Sequence, residues 1–287
     1  MHRPPEVQFM SPTVSVITPA YNADRFIAEA VNSVLEQTFA DWELIIVNDG
    51  STDRTADVLA QFEDPRIRVR HQKNAGTSAA RNAALECATG RFVAFLDADD
   101  ILPSESLARR VSYFDLHPEV EIVNGAVRVL TAQDQEHIYR PSCAIGPHFP
   151  RLARLDEAVF FGPNYMIRRD RIGAHRFPLD VTHSEDLIFF LNLAHDAELC
   201  YGAVPDVIYE YRKREGSAMS NIDGLESGYL DVLRRAARFR RLDDEGLAFL
   251  RKRISLIMVK TWLRRGRPGR AIRVVFSARR AAKRRPV

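Results

Sequence analysis

"VSVITPAYNADRFIAEAVNSVLEQTFADWELIIVNDGSTD", residues 14–53, places an apolar run, an amphipathic stretch and a second apolar run in succession. Residues 14–19 and 43–49 have the Val and Ile density of buried strands, whereas 24–37 repeats its apolar positions at helical spacing. The same alternation continues: helix over 55–63, strand over 67–72, helix over 77–88, strand over 91–97, helix over 104–117. Strands alternating with helices of this length need right-handed crossovers, so the chain is expected to be α/β, with a mostly parallel, Rossmann-like sheet flanked by helices.

Ligands of such sheets bind beyond the carboxyl ends of the strands. Each of the four strands ends in a polar cluster: "TPAYN" (18–22), "NDGSTD" (48–53), "HQKNAGTS" (71–78) and "DADD" (97–100). Taken singly, a cluster of this kind is a polar turn, and Asp53 and Ser78 suit helix caps. Four on one sheet edge point to a site.

Three aspartates in four positions repel one another unless a cation lies between them. Asp97 and Asp99 supply oxygen ligands only, which favours Mg²⁺ or Mn²⁺ over zinc, and such an ion fills its shell with substrate phosphate and water. In "NAGTSAARN" (74–82), Gly76 opens a helix whose free amides suit an anion, and Arg81 adds a charged fork. The alanines of this stretch suit close packing on the sheet.

These motifs, in this order from about residue 14 to residue 100, resemble the nucleotide-sugar half of the family 2 glycosyltransferases, which have the GT-A fold. The resemblance implies inverting transfer of a sugar from a nucleoside diphosphate, usually UDP, to a hydroxyl. It implies that Pro19, Ala20, Tyr21 and Asn22 line base and ribose, that Asp49 bonds the uracil, and that Arg81 lies near base or diphosphate. Asn74, Gly76 and Ala98 fall within the same nucleotide-binding motifs. Asp97 would approach the ribose and Asp99 would ligate the metal.

The acceptor half, about 101–220, is less constrained. "THSEDL" (182–187) resembles the family's acceptor-side segment, which makes Asp186 the expected general base and Glu185 its alternate; Ser184 and the two acids equally suit a helix N-terminus. His183 lies beside the pair. In "VFFGPNY" (159–165), Asn164 and Tyr165 are placed to face the site, with Phe160 and Phe161 in the core. "IYEYRKREGSAMS" (208–220) resembles a family loop that commonly carries His where this chain has Arg214. Arginine cannot ligate a metal, so Arg214 is either a diphosphate contact or a solvated loop residue.

The 287 residues carry a net charge of +3, but from Gly228 onward there are 19 Lys and Arg against 4 Asp and Glu, leaving 22 against 34 before it. Helices are expected over 226–241, 245–265 and 268–285, a basic extension (221–287) to a GT-A domain (1–220). Its helices, with Trp262 and Phe276, suit an anionic membrane surface or simply packing on the domain with a solvated basic face. Nucleic acid is disfavoured, since no recognition motif accompanies the charge. Three scattered cysteines suggest reduced thiols, and with no signal-like or spanning apolar run the expected location is cytoplasmic, peripheral on the inner membrane face. The expected partners are a nucleotide-sugar donor and a glycan or lipid-linked acceptor. A nucleotidyltransferase and a nucleotide-sugar binding module without turnover stand as the alternatives.

Overall fold

The computed structural model describes residues 11–131, 137–159, 162, 164–214 and 220–283. Its first half follows the sequence pattern: β1 (Val14–Ala20), α1 (Ile27–Leu35), β2 (Trp42–Asp49), α2 (Thr55–Leu59), β3 (Ile67–Gln72), α3 (Thr77–Cys87), β4 (Phe92–Phe95) and α4 (Ser106–Leu116). Next come β5 (Ile122–Leu130), β6 (His137–Tyr139), β7 (Gly146–Pro147), α5 (His148–Leu152), β8 (Met166–Arg168) and α6 (Arg169–Ile172). The chain continues through α7 (Glu185–Ala197), β9 (Cys200–Arg212), α8 (Ile222–Ala236), α9 (Asp244–Arg264) and α10 (Pro268–Ala281).

The strands form one sheet ordered β3-β2-β1-β4-β8-β5-β9-β7, with β6 on β5. The first four are mutually parallel, β8 runs antiparallel between β4 and β5, and β5 and β9 are parallel. Because side chains alternate across a strand, Val16, Leu44, Ile46 and Phe92 pack against α1 and α4 on one face. Ile17, Ile45, Val47, Val93 and Phe95 pack against α3 and α7 on the other. Burial on both faces explains why β2 reads as an unbroken apolar run rather than an alternation.

The basic extension joins this core. Val232, Leu233, Leu250, Ile254 and Ala278 belong to the same apolar cluster as α7. Of the two readings offered for Trp262, membrane face or packing on the domain, the structure gives the second: its indole N–H donates to Glu226 Oε2 at 2.6 Å, and Arg270 covers the ring at 4.3 Å. An indole can enter the interior where its polar edge finds an acceptor. Phe249, Leu256, Leu263, Ile272 and Phe276 are the apolar side chains of α9 and α10 left exposed. Among the described residues no helix is long and apolar enough to cross a membrane.

Candidate active site

A cavity of about 580 Å³ opens at the carboxyl ends of β1, β2 and β4. Pro19, Ala20, Tyr21, Asp49, Arg81, Asp97, Ala98 and Asp99 line it, together with His183, Glu185, Asp186 and Arg214. Residues expected at the site from both halves of the sequence therefore share one cavity.

The three aspartates after β4 have separate partners. Asp97 Oδ1 accepts from Arg81 Nη2 at 2.7 Å, and Asp99 Oδ2 accepts from Arg214 Nε at 2.5 Å. Asp100 is buried and accepts from the Tyr209 hydroxyl and the Arg212 amide, both at 2.8 Å, which pins this turn to β9. Burial, and then the neighbouring Asp97, push the Asp99 carboxyl up, while Arg214 opposes them. The cations between the aspartates are thus arginines. Arg214, substantially exposed, pairs with the expected metal ligand.

A divalent ion also suits this wall. Among the described residues no three His, Cys, Asp or Glu converge as a ready-made cage. A hard cation that completes its shell with diphosphate and water needs only one or two carboxylates, and Asp99 with Asp97 supplies that oxygen chemistry.

Arg81 is the hinge between the halves. It is buried on α3, donating to Asp97 with one nitrogen and to Glu185 Oε1 with the other at 3.1 Å. Its pKa rises because Asp97, Glu185 and Asp186 surround it, although burial alone would lower it. The two carboxylates it joins lie 88 positions apart in sequence, and both line the cavity.

Asp186 stands in the first turn of α7 and accepts from its neighbour Leu187 N at 2.7 Å. Its pKa is raised to about 7, first by burial and then by Glu185, with Arg81 opposing. Ser184 makes no cap bond: it sits in the left-handed region at φ 61°, and turns the chain so that both acids enter the helix start.

Other expectations need correction. Asp49 takes the two amides just before α3, with Ala75 N and Gly76 N donating to it at 3.0 and 2.8 Å, while Thr77 in the first turn lines the cavity. Gly76 and Asn74 lie off the cavity wall, as does Asn22, whose Oδ1 accepts from Thr52 N at 2.8 Å. Ser78 is buried within α3 and caps nothing. Asp53 does act at a helix start, accepting from Thr55 N at 2.9 Å. Asn164 and Tyr165 are fully buried core residues: the Asn164 amide reaches Gly125 O, and Tyr165 donates to Val159 O and packs on Phe190. Both side chains therefore point into the interior rather than the cavity, with the Asn164 Oδ1 left without a partner among the described residues. Phe160 and Phe161 lie outside the described residues.

The sequence reading missed the far wall, formed by Leu225 and Tyr229 of α8 and Ile257 of α9 with Leu155 and Leu187. The basic charge of the extension masked it. A signal was present in Gly224 and Gly228, one turn apart in a helix that would otherwise exclude glycine.

A family model described as "Glycosyl transferase family 2" matches residues 15–172. The chain is 36% identical over 217 residues to TuaG of Bacillus subtilis (strain 168), named for glycosyl transfer in teichuronic acid biosynthesis; this spans 73% of the chain and 82% of the relative. It is 30% identical over 209 residues to the Escherichia coli UDP-Glc:alpha-D-GlcNAc-diphosphoundecaprenol beta-1,3-glucosyltransferase WfgD, over 72% of the chain and 80% of the relative. Among solved structures, S. aureus TarS 1–349 in complex with UDP-GlcNAc superposes with TM-score 0.66 at 19% identity, over 96% of this chain and 93% of that one. The mannosyltransferase PcManGT from Pyrobaculum calidifontis, in complex with GDP-Man and Mn²⁺, gives 0.65 at 19%, over 95% and 74%. These likenesses support the GT-A fold.

Proposed function

Because the chain belongs to glycosyl transferase family 2, we propose that it moves a sugar from a UDP-sugar to a hydroxyl of a cell-surface glycan, with inversion at the anomeric carbon. The observation that carries this reading is the placement of Asp186, raised toward neutrality, on the same cavity as the Asp97 and Asp99 wall. A base poised near neutral pH can take a proton from a hydroxyl and release it again.

In this account Pro19, Ala20 and the half-exposed ring of Tyr21 receive base and ribose, with Asp49 and Ala98 beside them. Asp97 is held by Arg81 toward the ribose. Asp99 and Arg214 face the diphosphate. Asp99, with Asp97 beside it, would hold a divalent cation, which would supply charge neutralisation for the departing diphosphate. The acceptor oxygen forms its bond to the anomeric carbon as the carbon–diphosphate bond breaks; the electron pair leaves with UDP, and the hydroxyl proton goes to Asp186. Glu185, drawn to Arg81, helps hold the Asp186 pKa up by its own charge, and His183 lies where it can meet the acceptor.

The name of WfgD, a relative acting on a diphosphoundecaprenol-linked sugar, supports a lipid-linked acceptor here as well. The exposed apolar residues of α9 and α10, set among the basic excess, support docking on the inner, cytoplasmic membrane face.

A release assay over nucleotide sugars and nucleoside triphosphates with Mg²⁺ or Mn²⁺ tests the reading. It predicts UDP release from a UDP-sugar. Selective consumption of a triphosphate with a sugar phosphate would instead mark a nucleotidyltransferase.

A further inference from the structure

α8 carries glycine at positions 224 and 228, in the first two turns of a 15-residue helix. Glycine inside a helix costs about 1 kcal/mol relative to alanine, so two of them one turn apart call for a reason. The contacts supply one. A Cβ at Gly224 would lie 2.1 Å from His183 Cε1 and 2.3 Å from its Nε2. A Cβ at Gly228 would lie 2.5 Å from the His183 carbonyl oxygen and 2.8 Å from Ser184 Oγ. The bare face of α8 is therefore the seat of the turn that immediately precedes Glu185 and Asp186.

That turn needs a seat. Ser184 has φ 61° and ψ 21°, a conformation that a non-glycine residue holds only where its surroundings impose it, and it makes no side-chain cap bond to α7. Between the two contacts, α8 turns Leu225 to the cavity, and just after them Tyr229. Tyr229 is close enough to Asp186 for that carboxylate to help raise its pKa, after burial. One helix thus fixes the turn before the acids and walls the space in front of them.

We infer that Gly224 and Gly228 are positioning residues for Asp186: they let α8 lock the His183–Ser184 turn, and so aim the carboxylate at the acceptor oxygen. This rests on the assignment of Asp186 as base. It makes the basic extension part of the catalytic apparatus, and it makes transfer sensitive to changes that leave donor binding alone. A displacement of about 1 Å at a reacting group can cost about 100-fold in rate.

The test uses the full chain, UDP-glucose with water as acceptor, calorimetry of UDP, and thermal unfolding. Gly228→Ala is expected to lower kcat at least about tenfold while UDP affinity stays within about twofold. Gly269→Ala, at a position with nothing within 4 Å of the added carbon, should change neither. A second comparison holds if Gly228→Ala fails to fold. Gly224→Ala should cost about tenfold in the wild-type background but less than about threefold in His183→Ala, where the ring it strikes is gone. Equal cost in both backgrounds, wild-type turnover in Gly228→Ala, or parallel loss of turnover and UDP affinity would overturn the inference. Asp186→Asn in the same assay separates the two assignments. Its loss of turnover beside an active Gly228→Ala overturns the seat alone, and its full activity overturns the base.

Discussion

Arg214 Nε lies 2.5 Å from Asp99 Oδ2, so the carboxylate expected to bind a metal already has a protein cation on one oxygen. Arg214 is substantially exposed, and exposed pairs of this kind contribute about 1 kcal/mol or less. Asp99 would therefore give up little in exchanging Arg214 for a divalent ion, and the arginine would be left to the phosphates. Arg214→Ala is expected to tighten Mn²⁺ binding by up to about fivefold, and Asp99→Ala to abolish the effect of Mn²⁺ on UDP affinity. Calorimetry of Mn²⁺ and of UDP with and without it reads both; UDP affinity indifferent to Mn²⁺ in the wild type would exclude Asp99 as a ligand.

Arg81 is the only side chain described as bridging Asp97 to Glu185, and it does so from a buried position. Removing one partner of a buried charge cluster leaves the others uncompensated, at a cost of about 3–5 kcal/mol. Arg81→Ala should lose stability on that scale in urea unfolding, and Arg81→Lys, which keeps charge but not the fork, should lose less. A neutral Arg81→Ala would mean that the bridge carries no stability.

The Asp186 pKa, raised to about 7 from an ordinary 3.8, has two consequences. Turnover limited by an ionised base should rise with pH and level off above about 8. Stability runs the other way: the folded state holds a proton that the unfolded chain gives up near 4, so this contribution is present at low pH and is lost as pH rises through about 7. Asp186→Asn should flatten both dependences. A wild-type rate that falls as pH rises from 6 to 8 would contradict the assignment.

Membrane docking rests on Phe249, Leu256, Leu263, Ile272 and Phe276, exposed on α9 and α10 among basic residues. Each exposed Lys or Arg contributes about 1 kcal/mol near an anionic surface, and salt weakens it. Sedimentation should show binding to anionic vesicles at low salt, weaker binding at high salt, and further loss in Phe276→Glu. Binding indifferent to lipid charge would leave these helices as packing elements only.

The donor half was legible because its determinants are local. Val16 and Ile17 sort to opposite faces by alternation alone, and Asp49, Asp97 and Asp99 fall at strand ends whose direction the crossovers fix. The rest depends on long-range partners. Nothing near Arg81 announces Glu185, 104 positions away, and nothing near Asn164 announces that its amide turns inward to Gly125. The buried indole of Trp262 needed Glu226 on another helix. Charge counting likewise described the solvent face of the extension and concealed the face that walls the cavity.

The most direct test of the central claim is turnover of Asp186→Asn at saturating UDP-sugar and pH 8, with UDP affinity measured on the same protein. A loss of about 100-fold or more with donor binding retained is expected, because the hydroxyl loses its proton acceptor while the donor-side residues are untouched. Near-wild-type turnover would contradict it.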